Sequence, residues 1–394
     1  MKAILQTNRN LLCGRDELVE QIVANCRAQR LSVISSEGGL GTTSLLQAGV
    51  APALEREKFL AVYFDDWQGR FFASGLREAV ASAIREAADP QFFAEGEALD
   101  RLLDRAQRRT GAAVVLLLDQ FEDYVRCHAN TELSDAFDAE LANAVAARNA
   151  CFVLGIQSHA IPAFDRLNQH IANLRGFELR LGPLAHEAGK QAAMGELEAA
   201  HLVIEPAALD AILTAPVLET QPGTVHPFFL KIALEVLSEA EHRKKSGRIG
   251  MATIEAFGGV ERVVMEYLDP RVNELGNTQI ELLFRWCNIL ISEGRHRLSV
   301  TEKGLIDYAG KFNRFAPPLL GRLVEMGILR SIDMAGTIRY EIARECLTPI
   351  LRDWWERREA AIVARRRANF RIKSLTVAVS AILLMYVIWL FVSK

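Results

Sequence analysis

A chain of 394 residues is long enough for two or three domains with cores of their own. Half of it is hydrophobic and 24% is charged, which excludes a mainly disordered protein. A formal net charge of −3 excludes a global basic field that would gather nucleic acid.

Residues 16–29 (DELVEQIVANCRAQ) carry apolar side chains at helical spacing, and 31–35 (LSVIS) is a short β-rich run. A glycine turn, SEGGLGTTSLL (36–46), then leads into a helical SLLQAGVAPAL (44–54) and a second strand, FLAVYFDDW (59–67). Helices are expected near 72–88 and 95–109. AAVVLLLDQ (112–120) is almost wholly apolar, as a strand buried on both faces of a parallel sheet would be. A helix near 133–148 and the strands CFVLGIQS (151–158) and FELRLGPL (177–184) complete the series. Strands alternating with helices predict a doubly wound, parallel-sheet α/β domain over residues 10–184.

From His186 the alternation stops, and residues 185–270 read as an all-α helical domain. Residues 271–358 read as a winged helix. Its three helices are IELLFRWCNILI, TEKGLIDYAG and NRFAPPLLGRLVEMG, followed by the hairpin strands ILRSID and TIRYEIA around Ala335-Gly336. A basic juxtamembrane segment, 359–374, precedes Leu375 to Val392, an uncharged apolar run about 27 Å long as a helix, just enough to cross a bilayer. Arg357, Arg358, Arg365, Arg366, Arg367, Arg371 and Lys373 flank the run on its N-terminal side, which holds that side in the cytoplasm. The expectation is a single-pass, tail-anchored protein of the cytoplasmic membrane with its body in the cytoplasm. The N-terminus lacks the apolar core of a signal peptide. Six widely spaced cysteines, with no C-x-x-C pair, fit free thiols in a reducing compartment.

The glycine turn carries the chemistry. Phosphate loops work because backbone N–H groups and a helix N-terminus point at the anion, glycines admit the backbone closely, and a Ser/Thr hydroxyl holds magnesium. Against the pattern G-x-x-x-x-G-K-[ST], Gly41 and Thr43 fit, Gly38 and Gly39 keep the loop lean, Ser36 replaces the first glycine and Thr42 replaces the lysine. Taken alone, such a stretch is compatible with any glycine-rich strand-to-helix turn. The apolar strand ending in Asp119, followed by Gln120-Phe121-Glu122-Asp123, supplies context, since it would deliver Asp119 to a metal's water shell and Glu122 to an attacking water.

In order along residues 10–358, the blocks CGRDELVEQI, SEGGLGTTSLLQAGVAPAL, LLLDQFEDYV, VLGIQSHAIPAFDRL, GPLAHEAGKQA, HPFFLKIALEVL, AFGGVERVVMEYL and YEIARECLTPILRDWWERR resemble those of the novel STAND NTPases. These are signal-transduction P-loop ATPases with an α/β domain, a helical lid and a winged helix. The resemblance implies ATP or ADP with Mg as cofactor, Arg15 and the turn before it near the adenine, and Ser36 to Thr43 around the phosphates. It further implies Asp119 and Thr43 at magnesium, Glu122 orienting the attacking water, Pro227 of the lid packed on the nucleotide, and Arg344 where a histidine would reach the β-phosphate. A homo-oligomer and a protein signalling partner are implied as well.

The departures all fall at sites that would face phosphate: Ser36, Thr42, Gln157 for an arginine, and Arg344. Losing the lysine should remove several kcal/mol of transition-state stabilisation, about a thousandfold in rate. The expected function is therefore a membrane-anchored, STAND-like nucleotide-binding switch or scaffold with weakened or lost hydrolysis. Two alternatives stay open: an active ATPase with an unconventional loop, and a membrane-tethered winged-helix regulator that binds DNA. For the latter, Asn313-Arg314-Phe315 and Arg322 would have to contact the duplex, but Leu319, Leu320, Leu323 and Met326 make that helix largely apolar. Nucleic acid is not an expected partner.

Overall fold

The computed structural model describes residues 12–360 and 363, apart from 95, 130, 148, 293–297 and 335, and the side chains of 269 and 273. The proposed membrane span, Leu375 to Val392, and nearly all of the basic segment before it lie outside the described residues. Among the described residues no helix is long and apolar enough to cross a membrane.

The first region holds, in order, α1 (Asp16–Ala28), β1 (Leu31–Ser36), α2 (Thr42–Ser44), a π-helical stretch (Leu45–Val50), α3 (Ala51–Arg56), β2 (Leu60–Phe64), α4 (Phe72–Ala87) and α5 (Leu99–Thr110). Then come β3 (Val114–Leu118), α6 (Phe121–Cys127), α7 (Glu132–Ala146), β4 (Ala150–Gln157), α8 (Ile161–Phe164) and β5 (Glu178–Leu181). The five strands form one parallel sheet in the order β2-β3-β4-β1-β5. Strand residues alternate between the two faces. Val114, Leu116 and Leu118 pack with α4, α5 and α7, while Val115 and Leu117 pack with α1, the π-helical stretch and α3. Both faces of β3 are thereby buried, which is why its sequence is apolar throughout. This is a parallel-sheet α/β fold with helices on both faces.

Two local features bear on the site. The helix after the glycine loop widens before Pro52, with the N–H of Ala51 reaching back five residues to the carbonyl of Leu46. Proline has no N–H to give and its ring crowds the carbonyl four residues earlier, and a wider turn relieves that conflict. The second strand ends at Phe64, three residues short of the predicted end. Beyond it the chain turns so that Trp67, 0% exposed, enters a ring cluster with Phe64, Phe72, Phe121, Tyr124 and Phe137.

The rest of the chain is largely helical. It comprises β6 (Leu184–Ala185), α9 (His186–Ala199), β7 (Val203–Ile204), α10 (Pro206–Leu213), β8 (Thr224–Val225), α11 (Pro227–Lys244), β9 (Arg248–Ile249), α12 (Met251–Phe257), α13 (Val260–Met265) and α14 (Asp269–Asn273). Four of these are two-residue strands, paired β6 with β8 and β7 with β9, where an all-helical region was expected. Segments this short carry no periodic signal. Then follow α15 (Asn277–Leu290), β10 (Val300–Thr301), α16 (Glu302–Ala309), α17 (Ala316–Glu325), β11 (Leu329–Met334), β12 (Thr337–Ile342) and a helix over 348–360, α18. The β11–β12 hairpin is antiparallel and takes β10 on its other edge. One continuous hydrophobic core runs from Leu184 to Trp354.

Trp67 also fixes the chain at the site, because its indole N–H donates to the carbonyl of Asp119 at 2.6 Å. Replacing it with alanine empties the centre of the ring cluster and strands that carbonyl. Trp67→Ala should cost about 3–5 kcal/mol in urea unfolding; a loss under about 1 kcal/mol would show that the cluster does not hold this corner.

Candidate functional site

The glycine loop leaves β1 at Ser36, whose register partner on β4 is Gln157. Gly39 and Gly41 have φ of +86° and +95°, backbone states that L side chains rarely adopt. Gly41 caps α2, so the helix that starts at Thr42 presents its first N–H groups to the loop. The two departures from the phosphate-loop pattern meet each other: the hydroxyls of Ser36 and Thr42 lie 2.7 Å apart in a hydrogen bond. A short polar crosslink thus stands where a lysine stem would pass.

Asp119 follows β3 at the same end of the sheet. One strand, β4, separates it from the loop, and the gap is bridged because β4 carries Gly155 there. A Cβ on Gly155 would lie 2.8 Å from a carboxylate oxygen of Asp119 and 3.0 Å from the methyl of Thr42. Without it, the Thr43 hydroxyl donates to Asp119 Oδ2 at 2.5 Å. Tyr63, at the end of β2, points its hydroxyl at the same Oδ2 at 2.9 Å and at Asp65 Oδ2 at 3.0 Å. The backbone N–H of Gln120 donates to Asp119 Oδ1 at 2.9 Å, with Gln120 itself held at φ +51°. Strain of this kind in a non-glycine residue is a recurrent feature of functional sites.

Asp119 is 2% exposed, and burial raises its pKa despite these donors. Glu122, in the first turn of α6, is 5% exposed and accepts the N–H of Gln157 at 3.2 Å. Burial first, then the charges of Asp123 and Asp119, push its pKa up to about 7. Burial likewise raises the Tyr63 phenol, together with its two carboxylate neighbours. Such shifts mark carboxylates short of positive charge.

A cleft of about 560 Å³ opens over the loop. Ser36, Gly38, Gly39, Gly41, Thr42, Thr43, Asp119 and Glu122 line it on one side. Pro227, Phe228 and Lys231 of α11 form a second wall, and Arg330 of β11 with Arg344 and Glu345 after β12 form a third. The walls close tightly on the loop, since a Cβ on Gly39 would meet Cys346 Sγ at 2.9 Å and the His226 ring at 3.0 Å. Burial holds the His226 imidazole neutral, its pKa lowered to about 4.

Ser36, Thr42, Gln157 and Arg344, the departures expected to face phosphate, therefore lie together, and Pro227, expected against the nucleotide, lies with them. Arg15 lies elsewhere. It lines a neighbouring cleft with Leu12, Val19, Ala48 and Arg56, and donates to the carbonyl of Gly182 at 2.6 Å. Burial lowers its pKa to about 10. The turn before it is pressed on α9, where a Cβ on Gly14 would sit 2.6 Å from that of Ala188.

Lys231, Arg330, Tyr63 and Gly155 escaped the sequence reading. Lys231 had a readable signal, since it follows Pro227 by four residues and shares its helix face. Arg330, Tyr63 and Gly155 enter through strand pairing and long-range contact. The cations of the cleft, Lys231, Arg330 and Arg344, all come from outside the α/β region.

The donor set suits a hard cation in part: a buried carboxylate and a hydroxyl in contact, both oxygen ligands of the kind magnesium takes beside phosphate and water. Asp119 and Thr43 are the residues that would hold it. Among the described residues no cluster of three or more His, Cys, Asp or Glu side chains could bind a metal unaided. A metal here would need oxygens from a ligand.

No match is found among curated protein sequences. Among solved structures, the chain is similar to the Aeropyrum pernix ORC1 protein in complex with DNA, at 14% identity over 90% of this chain and 94% of that one, with a TM-score of 0.47. It is also similar to the ADP form of Aeropyrum pernix ORC2, at 14% identity, 88% and 94% coverage and a TM-score of 0.48. A third is the Thermotoga maritima RuvB Holliday junction branch migration motor, at 14% identity, 83% and 91% coverage and a TM-score of 0.37. The family model described as Novel STAND NTPase 1 matches residues 1–374, and the chain belongs to that family.

Proposed function

We propose that the chain is a nucleotide-binding switch or scaffold that holds ATP or ADP with magnesium in the cleft over Ser36 to Thr43 and hydrolyses it slowly or not at all. The contact between Thr43 and Asp119 carries this reading, because it joins a helix N-terminus suited to phosphate with a buried carboxylate suited to the metal. Loop amides would bind the phosphates, Pro227 and Phe228 would cover the nucleotide, and Lys231 and Arg344 would supply charge from the walls. Magnesium, when bound, would neutralise phosphate charge. The Ser36–Thr42 pair offers no cation to a transferring phosphoryl group, which favours retention over turnover. We read residues 271–358 as a winged helix, and the region before it as the lid. The second reading is an active ATPase with an unconventional loop, favoured by the three wall cations, Lys231, Arg330 and Arg344, which could stand in for the missing lysine.

We further propose that Leu375 to Val392 anchors the chain in the cytoplasmic membrane with its body in the cytoplasm, where assembly with further copies or a signalling protein would be the output. Removing residues 375–394 should release the chain from carbonate-washed membranes. A truncated chain that stayed with them would remove the anchor.

Purified full chain should carry nucleotide or gain thermal stability from ATP with magnesium. Thr42→Lys should tighten binding about tenfold or more, as a charge-assisted contact to phosphate does. Asp119→Ala should erase the magnesium dependence. Wild-type protein that contains no nucleotide, binds none and gains no stability would end the proposal.

The raised Glu122 makes a pH prediction. Its folded pKa of about 7 lies above the ordinary 4.5, so the folded state binds the proton more tightly. Stability from this group is present below about pH 4.5 and falls as pH rises to about 7, by roughly 3 kcal/mol in all. Glu122→Gln should therefore be near neutral at pH 5 and stabilising at pH 8 in nucleotide-free protein. Equal urea midpoints at pH 8 would contradict it.

A further inference from the structure

Arg330 belongs to the cleft and, at the same time, to a ring of charges behind it. Its Nη1 and Nη2 donate to Asp123 Oδ2 and Oδ1 at 2.8 and 3.0 Å, and its Nε donates to Glu341 Oε1 at 2.7 Å. Arg126 closes the ring, donating to Asp123 Oδ1 and Glu341 Oε2, both at 2.7 Å. Two arginines thus alternate with two carboxylates, at no net charge. Asp123 and Glu341 are 3% and 1% exposed.

The ring is also a seam. Asp123 and Arg126 stand on α6, which also carries Glu122, whereas Arg330 and Glu341 face each other across β11 and β12. Take Arg330 away and Asp123 and Glu341, both buried, lose the guanidinium that bridges them, which is costly for buried charge. Yet Arg330 uses only three of its five N–H groups in these bonds and lies in the cleft wall opposite the glycine loop.

We propose that Arg330 is a phosphate-responsive residue: a triphosphate seated on the glycine loop draws its guanidinium from the ring, and the lost balance loosens the β11–β12 hairpin from α6. This inference rests on the nucleotide reading given above. It makes triphosphate affinity and hairpin attachment opposing quantities, each weakening the other by the same factor. The cation missing from Thr42 is then replaced from the far wall, and its recruitment has a structural effect that a loop lysine would lack.

The two corners of the ring give opposite expectations. In full chain purified in mild detergent, with magnesium, Arg330→Gln should weaken ATP binding about tenfold or more, and Glu341→Gln, which frees Arg330, should tighten it by a similar factor. AMP affinity should stay unchanged in both. ATP, but not AMP, should speed amide exchange in residues 329–342 of the wild type. If ATP and AMP bind but the variants shift neither or both alike, or bound ATP leaves exchange at 329–342 unaltered, this inference falls and the nucleotide reading stands. If the wild type binds neither ligand, both fall. Opposite signs at the two corners also follow from the altered charge beside the phosphates, so faster exchange at 329–342 with ATP is the readout that a merely structural ring would not give.

Discussion

The hydrogen bond from Thr43 to Asp119 is the constraint around which the site is organised. It spans a whole strand, and it can do so only because β4 offers no side chain at Gly155. Everything near it is arranged to hold those two groups in place. Trp67 grips the backbone of Asp119, Tyr63 approaches the same carboxylate oxygen, and the left-handed Gln120 turns the chain into α6 so that Glu122 comes to the cleft. The positions of two oxygens are thus set by β2, by β4 and by the turns that follow β2 and β3.

Electrostatically the α/β side of the cleft is one-sided. It buries Asp119 and Glu122 and brings no lysine to the loop; burial first, then neighbouring carboxylates, raise the pKa of both acids. Positive charge enters from the helical region and the hairpin instead. A site divided in this way is complete only when its walls are closed. Binding and closure are then linked by electrostatics as well as by shape.

Much of this was legible in the sequence, and the reason is local. The apolar run before Asp119 and the glycines before Thr43 declare themselves over a few residues, because strand burial and tight turns each impose a short pattern. The helices of residues 72–87 and 277–290 were readable for the same reason. What stayed hidden depends on partners far away in the chain. Arg330 looks like any charged residue of an exposed strand until Asp123, 207 residues earlier, is brought against it. Trp67 read as the last residue of a strand because an aromatic after FLAVYF fits β propensity, whereas its ring belongs to a cluster that ends the strand. Arg15 depends on a distant partner too, since its hydrogen bond to Gly182 is decided by how two regions meet.

The unbroken core from Leu184 to Trp354 has a mechanical consequence. Close-packed interiors transmit displacement instead of absorbing it, so Lys231 and Arg344 ride on a single stiff jaw while the glycine loop and Asp119 ride on the other. Such a clamp has few ways to part. Its swing would gather near residues 182–184, the short stretch where the chain leaves the sheet, and all the cations of the far wall would arrive or depart in one stroke.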